Sequence, residues 1–184
     1  DYFLDSKHTI GTRKLEKHFG LKLPLNANQT SQPHWVSLPE NTNRGGLLGM
    51  PAVLAVSSYP YRTSPVLRGA WILEAMLGTP PPPPPPNVPD LKASAANSAK
   101  DLRAALEQHR ANPACASCHS RLDAMGFSLE NFDAIGRWRT EEVVEGTGKN
   151  PQVDPSGQFS DGRKYSTPEE FKQLLLADVD AFNT

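Results

Sequence analysis

The sequence lacks the features that define several common protein classes. It has only two cysteines in 184 residues, and at this length a disulfide scaffold is not required for a stable core. It has no apolar run of about 18 residues, so we expect no membrane-spanning segment. The formal net charge is -1, which gives no indication of a nucleic-acid partner. The first residues lack the basic and apolar regions of a secretory signal, and we expect a mature product or a fragment of something longer.

Proline is abundant, with eighteen residues against thirteen glycines. This balance predicts helices separated by long irregular stretches, and therefore a mainly α fold. Seven consecutive prolines, Pro80 to Pro86, predict a polyproline II rod of roughly 20 Å. The rod would serve as a strut or, alternatively, as the ligand of a proline-recognition groove. We expect an N-terminal helical and irregular segment over 1–97, with 80–86 as its linker, and a second domain over 98–184.

Capping residues mark several helix boundaries. Gly20 follows a short helical pattern and predicts a left-handed cap there. Ser64 followed by Pro65 predicts a helix start, and Gly78 predicts its end. A capping box that begins at Thr167 predicts a last helix near the end of the chain.

The remaining segments carry weaker signals. An apolar stripe predicts a helix over 98–110, and a further short helix is predicted over 126–132. Turn residues predict a small β-hairpin within 143–159. The composition of 21–44 is typical of a loop on the surface, and 47–56 is predicted to be buried and irregular.

Both cysteines fall in one motif, Cys115-Ala116-Ser117-Cys118-His119. This Cys-x-x-Cys-His pattern is the attachment signature of c-type haem. Residues three apart share one face of a helix, so the two thiols could reach two vinyl groups along one edge of a porphyrin. His119, next to the second thiol, would be the proximal iron ligand. We expect one covalently attached haem c.

Two other uses of these cysteines are weaker alternatives. A zinc ribbon needs two more ligands at metal spacing, and the chain has no second cysteine pair. A thioredoxin-like dithiol needs a preceding strand, whereas a predicted helix and Pro113 come before these cysteines.

The sixth iron ligand is predicted by elimination. After His119 the chain has no histidine and one methionine, Met125, which follows too closely to be well placed. Met50 is our provisional distal ligand, because Gly49 and Pro51 bracket it on an apolar stretch; core packing is the alternative. If nothing reaches the iron, the haem is five-coordinate or water-ligated. The other upstream candidates are His8, His18, His34, Met76 and His109.

Most of these upstream candidates have a simpler interpretation. His18 lies at a helix end, where a capping or surface role is favoured. His109 lies on the stripe that leads into the motif, where a hydrogen bond to backbone or to a haem propionate is favoured. Met76 is predicted to be a core residue.

Two long motifs resemble a known family. The segments 62–74, which reads RTSPVLRGAWILE, and 126–139, which reads GFSLENFDAIGRWR, resemble the large haem-bearing proteins of unknown function of planctomycetes and related bacteria. The resemblance runs from about residue 45 to 171. It implies an exported, haem-binding chain with further domains on both sides. Met125 departs from the family pattern, in which proline and leucine surround the matching position.

The motif residues outside the haem triad have two interpretations each. Arg137 is our candidate for a haem propionate contact, because a guanidinium group suits a carboxylate; Arg62 and Arg68 are further candidates. An ordinary ion pair with a nearby carboxylate is the alternative for each arginine. Four aromatic residues are predicted to form an apolar wall that keeps water from the porphyrin: Trp71, Phe127, Phe132 and Trp138.

Together these features predict a c-type cytochrome whose 98–184 unit is a cytochrome c-like haem domain. It would transfer single electrons in an extracytoplasmic redox chain or complex, with redox partner proteins or other subunits. The alternative is the haem-bearing part of a peroxidase-like or dehydrogenase-like oxidoreductase with an open distal site, so an enzymatic role stays open. Covalent haem attachment in bacteria occurs outside the cytoplasmic membrane, so we expect a periplasmic or cell-surface location.

Overall fold

A computed structural model describes residues 3–28, 32–40, 42–84, 99–142 and 150–178 of the chain. This part contains six α-helices and two small two-stranded antiparallel sheets, which confirms the mainly α prediction. The helices are α1 (Arg13–Phe19), α2 (Pro51–Val56), α3 (Pro65–Trp71), α4 (Ala99–Arg110), α5 (Pro113–Phe127) and α6 (Pro168–Leu176). The strands are β1 (His8–Gly11), β2 (His34–Ser37), β3 (Gly157–Gln158) and β4 (Lys164–Tyr165).

The predicted caps are confirmed at three helices. Gly20 ends α1 with φ 64°, as predicted, and the Thr12 side chain, which was not predicted as a cap, accepts a backbone hydrogen bond at the start of that helix. Ser64 and Thr167 cap α3 and α6 in the same way, each followed by a proline in the first turn. After α3 the chain continues as a wider π-helical segment, Ile72–Met76. Local side-chain chemistry therefore sets these helix ends.

The segment around the cysteines differs from the prediction. Pro113 starts α5 rather than only ending α4, and the Asn112 side chain caps α5. The short helix predicted over 126–132 is wrong, because α5 ends at Phe127 and turns follow it. The chain then reverses direction, and Phe132 pairs with Trp138 in an isolated antiparallel β-bridge.

Two further predictions concern strands. The predicted loop over 21–44 contains β2, which pairs antiparallel with β1 and buries Val36 against Leu23 and Leu25. The predicted hairpin exists as β3 and β4, so its position is later than the predicted 143–159. The segment 143–149 lies outside the described residues. Pro85 and Pro86, the last two residues of the proline run, also lie outside the described residues. The described part of the run, 80–84, forms no helix or strand.

The main core draws side chains from both sides of the predicted domain boundary at 97/98. That boundary stays a prediction. None of the helices among the described residues is long and apolar enough to cross a membrane. The main core named above consists of these fully or nearly buried residues: Leu4, Leu48, Leu54, Ile72, Leu73, Leu122, Met125, Leu129, Phe132, Tyr165, Phe171 and Leu175.

Helices α3 and α5 pack backbone against backbone. A methyl group added at Gly69 of α3 would overlap the carbonyl group of Leu122 on α5. A methyl group at Gly126 of α5 would overlap the carbonyl group of Pro65 on α3. The absence of a side chain at both glycines allows this close approach, which fixes the position of the helix that carries the cysteines.

Arg68 joins α3 to the turns after α5. Its side chain is fully buried, and Nη1 donates hydrogen bonds to the carbonyl oxygens of Leu129 (2.7 Å) and Phe132 (2.8 Å). Nη1 also lies 3.0 Å from the Glu130 carboxylate, and Nη2 donates to the carbonyl oxygen of Asp133 at 2.9 Å. These bonds satisfy backbone carbonyl groups in the turns that follow α5. Arg68 is therefore not available to a haem propionate.

Candidate functional site

The Cys-x-x-Cys-His motif lies in the first half of α5. Cys115 and Cys118 are partly exposed free thiols and form no disulfide with each other. Cys118 also packs against the edge of the main core. Since the two residues are three apart in one helix, both sulfur atoms lie on one face of α5.

His119 is held by a carboxylate one turn further along the same helix. Its Nδ1 lies 3.0 Å from Oδ1 of Asp123, whose side chain is fully buried. A carboxylate accepts hydrogen bonds, so it favours the tautomer in which Nδ1 carries the proton and donates. Nε2 then keeps its lone pair, and it makes no hydrogen bond within the described part of the chain. The pair therefore orients an imidazole that can bind a metal through Nε2.

Sequence reasoning missed Asp123. The signal that could have indicated it is its spacing of four residues from His119, which places both on one helical face. A second charged group approaches the same carboxylate, since Nε of Arg110 lies 3.7 Å from Oδ2 of Asp123. That distance makes an ion pair but no hydrogen bond, and Oδ2 has no hydrogen-bond partner among the described residues.

His109, at the end of α4, contacts the motif directly. Its ring packs edge-on against the ring of His119, with 4.7 Å between the ring centroids and 82° between the planes. The expected hydrogen bond from His109 to the backbone does not occur among the described contacts. The end of α4 instead covers part of His119, whose side chain is 20% exposed.

No described contact joins Met50 to the motif, and its role as distal ligand stays a prediction. Met50 precedes α2 and is 47% exposed, so it is not shielded from water. It lines an apolar cavity of about 270 Å³ next to β1 and α1, and the lining of this cavity includes neither the cysteines nor His119.

The other predicted ligands have partners elsewhere. His18 bonds the carbonyl oxygen of Ile135 at 2.8 Å, and His8 stacks on Trp35. Met76 packs against the main core, as predicted. His34 lies in β2, and no described contact joins it to His119; Met125, which was rejected as a ligand, lies in the main core.

The candidate propionate arginines also have local partners. Arg137 forms an exposed ion pair with Asp133, in which Nε lies 3.2 Å from Oδ2. Arg62 lies over the ring of Tyr59, with 4.6 Å between the guanidinium carbon and the ring centroid. The ion pair of Arg137 agrees with the simpler interpretation, whereas Arg62 contacts an aromatic ring rather than a carboxylate; a propionate contact of Arg137 stays a prediction.

The predicted aromatic wall is divided between two clusters. Phe132 packs in the main core. Its ring makes an edge-to-face contact with the ring of Trp138, with 5.1 Å between the ring centroids. Trp71 packs against the same core. Phe127 belongs to a smaller cluster with Leu102 and Leu106 of α4. These residues therefore stabilise the packing of α3, α4 and α5, whose mutual arrangement positions the motif.

The residues of the motif fit a covalent porphyrin better than a bare metal ion. No three His, Cys, Asp or Glu side chains in the described ranges are grouped to hold a metal ion. Two free thiols on one helical face and an imidazole with an available Nε2 are instead the donor set of c-type haem attachment.

Comparison with known proteins identifies a family. No curated protein and no solved structure is similar enough to this chain to be matched. A family model does match residues 44–142, more than half of the chain, and is described as PSCyt3, a protein of unknown function (DUF1588). The matched range includes α2 to α5 and the whole Cys-x-x-Cys-His motif. The chain therefore belongs to PSCyt3, a cytochrome-like planctomycete family.

Proposed function

We propose that the protein is a c-type cytochrome that binds one haem c through Cys115 and Cys118 and exchanges single electrons with redox partner proteins. His119 is the proximal ligand in this proposal. The observation that supports it most strongly is the orientation of His119, since Asp123 accepts from Nδ1 and leaves Nε2 available next to two free thiols. Membership of a cytochrome-like family agrees with this chemistry.

The chain supplies attachment, orientation and shielding. Each thiol adds across one vinyl group, so that sulfur bonds to one vinyl carbon and the thiol proton goes to the other. The bound haem supplies the one-electron chemistry. The His119 ring donates a hydrogen bond from Nδ1 to Asp123 and packs against the ring of His109, so it has little freedom to rotate.

We also propose a location and a class of partner. Bacteria attach haem c outside the cytoplasmic membrane, so a periplasmic or cell-surface location follows from the motif. Redox partner proteins or other subunits of a complex are the expected partners. Large exposed aromatic side chains support a protein partner, because such residues are enriched at interfaces: Tyr61 is 79% exposed and Trp35 is 60% exposed.

The test is expression of the chain in a bacterial host with a cytochrome c maturation system. We expect haem that survives denaturing electrophoresis and gives a c-type pyridine haemochrome at one haem per chain. The double variant Cys115→Ala/Cys118→Ala should hold no covalent haem. Ser117→Ala, between the two cysteines, is the matched control and should keep it. A wild-type chain without covalent haem would refute the proposal.

A second candidate function is the haem-bearing part of an oxidoreductase with an open distal site. It is favoured by one observation: Met50, the provisional distal ligand, lines a cavity whose lining includes neither the cysteines nor His119. The far-red absorption band that reports methionine bound to ferric iron separates the two functions. Its presence would favour the electron carrier, whereas a high-spin spectrum would favour catalysis.

A further inference from the structure

We propose that Asp123 is a positioning residue that makes His119 a more electron-donating ligand and so favours the oxidised state of the haem, and that Arg110 opposes this effect. The proposal rests on the proposed function, because it concerns the same haem site. It adds a reason for the site's redox behaviour that the attachment motif alone does not contain.

Asp123 and His119 lie on the same face of α5. Asp123 and His119 are four apart in α5, so the helix itself fixes the 3.0 Å contact between Nδ1 and Oδ1. This is the only hydrogen bond that Asp123 makes with its side chain among the described residues. The carboxylate thus serves His119 and has no comparable bond to another element.

The Asp123 carboxylate is buried in the protein interior. The Asp123 side chain has no exposed surface, in the stretch of α5 where all residues from Leu122 to Phe127 are buried. A carboxylate with one free oxygen is costly in such a place, and an apolar side chain would pack there without that cost. Solvent screens a buried charge weakly, so its influence on a histidine in direct contact is strong.

The Asp123 carboxylate affects how strongly the His119 ring donates electrons to a bound metal. A carboxylate that accepts from the Nδ1 proton of a metal-bound histidine raises the basicity of Nε2. A more basic ligand stabilises ferric over ferrous iron, which lowers the reduction potential. Arg110 lies 3.7 Å from the free oxygen of the same carboxylate and is 29% exposed. Its positive charge draws electron density away from Asp123, so it weakens the effect on His119.

The two residues therefore predict shifts of opposite sign. Asp123→Asn keeps the shape and an acceptor oxygen but removes the charge, so the reduction potential should rise. Arg110→Gln should lower it, because the carboxylate then acts on His119 alone. Asp161→Asn changes the net charge as Asp123→Asn does, but at an exposed ion pair with Arg163, and should leave the potential unchanged.

Two measurements on the full chain test the proposal. Spectroelectrochemical titration of the haem-loaded variants gives the potentials. Nitrogen-15 NMR at alkaline pH, on the Cys115→Ala/Cys118→Ala chain, gives the His119 tautomer without haem. We expect the tautomer protonated at Nδ1, and a mixture when Asp123→Ala is added.

The outcomes separate this inference from the proposed function. If the wild-type chain holds no covalent haem, the proposed function fails and the inference fails with it. If haem is attached but Asp123→Asn behaves like Asp161→Asn, or Arg110→Gln raises the potential, only the inference is overturned. Arg110→Gln alters a partly exposed side chain, so it remains decisive if the Asp123 variant does not fold.

Discussion

The close contact between α3 and α5 makes Gly69→Ala the most informative test of the fold. An added methyl group would meet backbone atoms rather than a flexible side chain, at 2.7 Å from the carbonyl carbon and 3.0 Å from Cα of Leu122. The backbone of α5 cannot move aside without displacing the helix that carries the cysteines.

The expected size follows from two opposing effects. Alanine is favoured over glycine inside a helix by up to about 1 kcal/mol. Overpacking of a filled core costs about 1–3 kcal/mol. Because the added methyl group meets rigid backbone, we take the overpacking cost of Gly69→Ala from the upper end of this range, about 3 kcal/mol. The net loss is about 2 kcal/mol, which lowers Tm by about 4–8 °C for a chain of this length. Gly126→Ala, whose methyl group would lie 2.6 Å from Cα of Pro65, should behave alike.

Thermal unfolding followed by circular dichroism measures this effect. Gly49→Ala is the matched control, since its methyl group would lie 3.6 Å from the nearest atom, Cα of Arg44, at ordinary contact distance. We expect that control to stay within about 0.5 kcal/mol of the wild type. A Gly69→Ala protein as stable as the wild type would refute the packing of α3 on α5.

Three further predictions concern stability. Arg68→Met should lower the free energy of unfolding by about 3–5 kcal/mol in urea titrations, because buried partners lose their donor, whereas the exposed Arg137→Ala should change it by less than about 1 kcal/mol. Burial raises the pKa of Glu142 from 4.5 to about 7. Between pH 4.5 and pH 7, Glu142 therefore keeps its proton in the folded protein, whereas it has released that proton in the unfolded chain. Wild-type stability should therefore fall as pH rises from 4.5 to 7, by less than about 1.4 kcal/mol per unit, and Glu142→Gln should remove that slope. Tyr165→Phe removes the buried hydrogen bond from the hairpin to the Ala124 carbonyl, and should cost about 1–2 kcal/mol in thermal unfolding.

The helix ends were predictable because their causes are local. Thr12 and Gly20, and the serine–proline pair at the start of α3, act on residues within one turn of the chain. The attachment motif was recognisable for the same reason, since its meaning lies in a spacing of five residues. Such signals need no knowledge of the tertiary structure.

The features that were missed depend on contacts between distant residues. Arg68 forms hydrogen bonds with groups that lie 61 to 65 positions further along the chain. These bonds stabilise the turns that follow α5, although the apolar spacing of that segment resembles a helix. The burial of Asp123 is equally invisible in the sequence. Spacing also carries no information on how far Met50 lies from the motif, so the distal ligand could not be identified from the sequence and Met50 stays a prediction.

Helix α5 changes character along its length. Its second half, from Leu122 to Phe127, is buried, whereas Cys115 and Cys118 in the first half are partly exposed. The buried half is also held by α3 and by the Tyr165 hydroxyl. If haem is attached as proposed, this division sets the order of maturation: the half of α5 that carries the cysteines is partly exposed in the folded chain, so attachment would not require the chain to unfold.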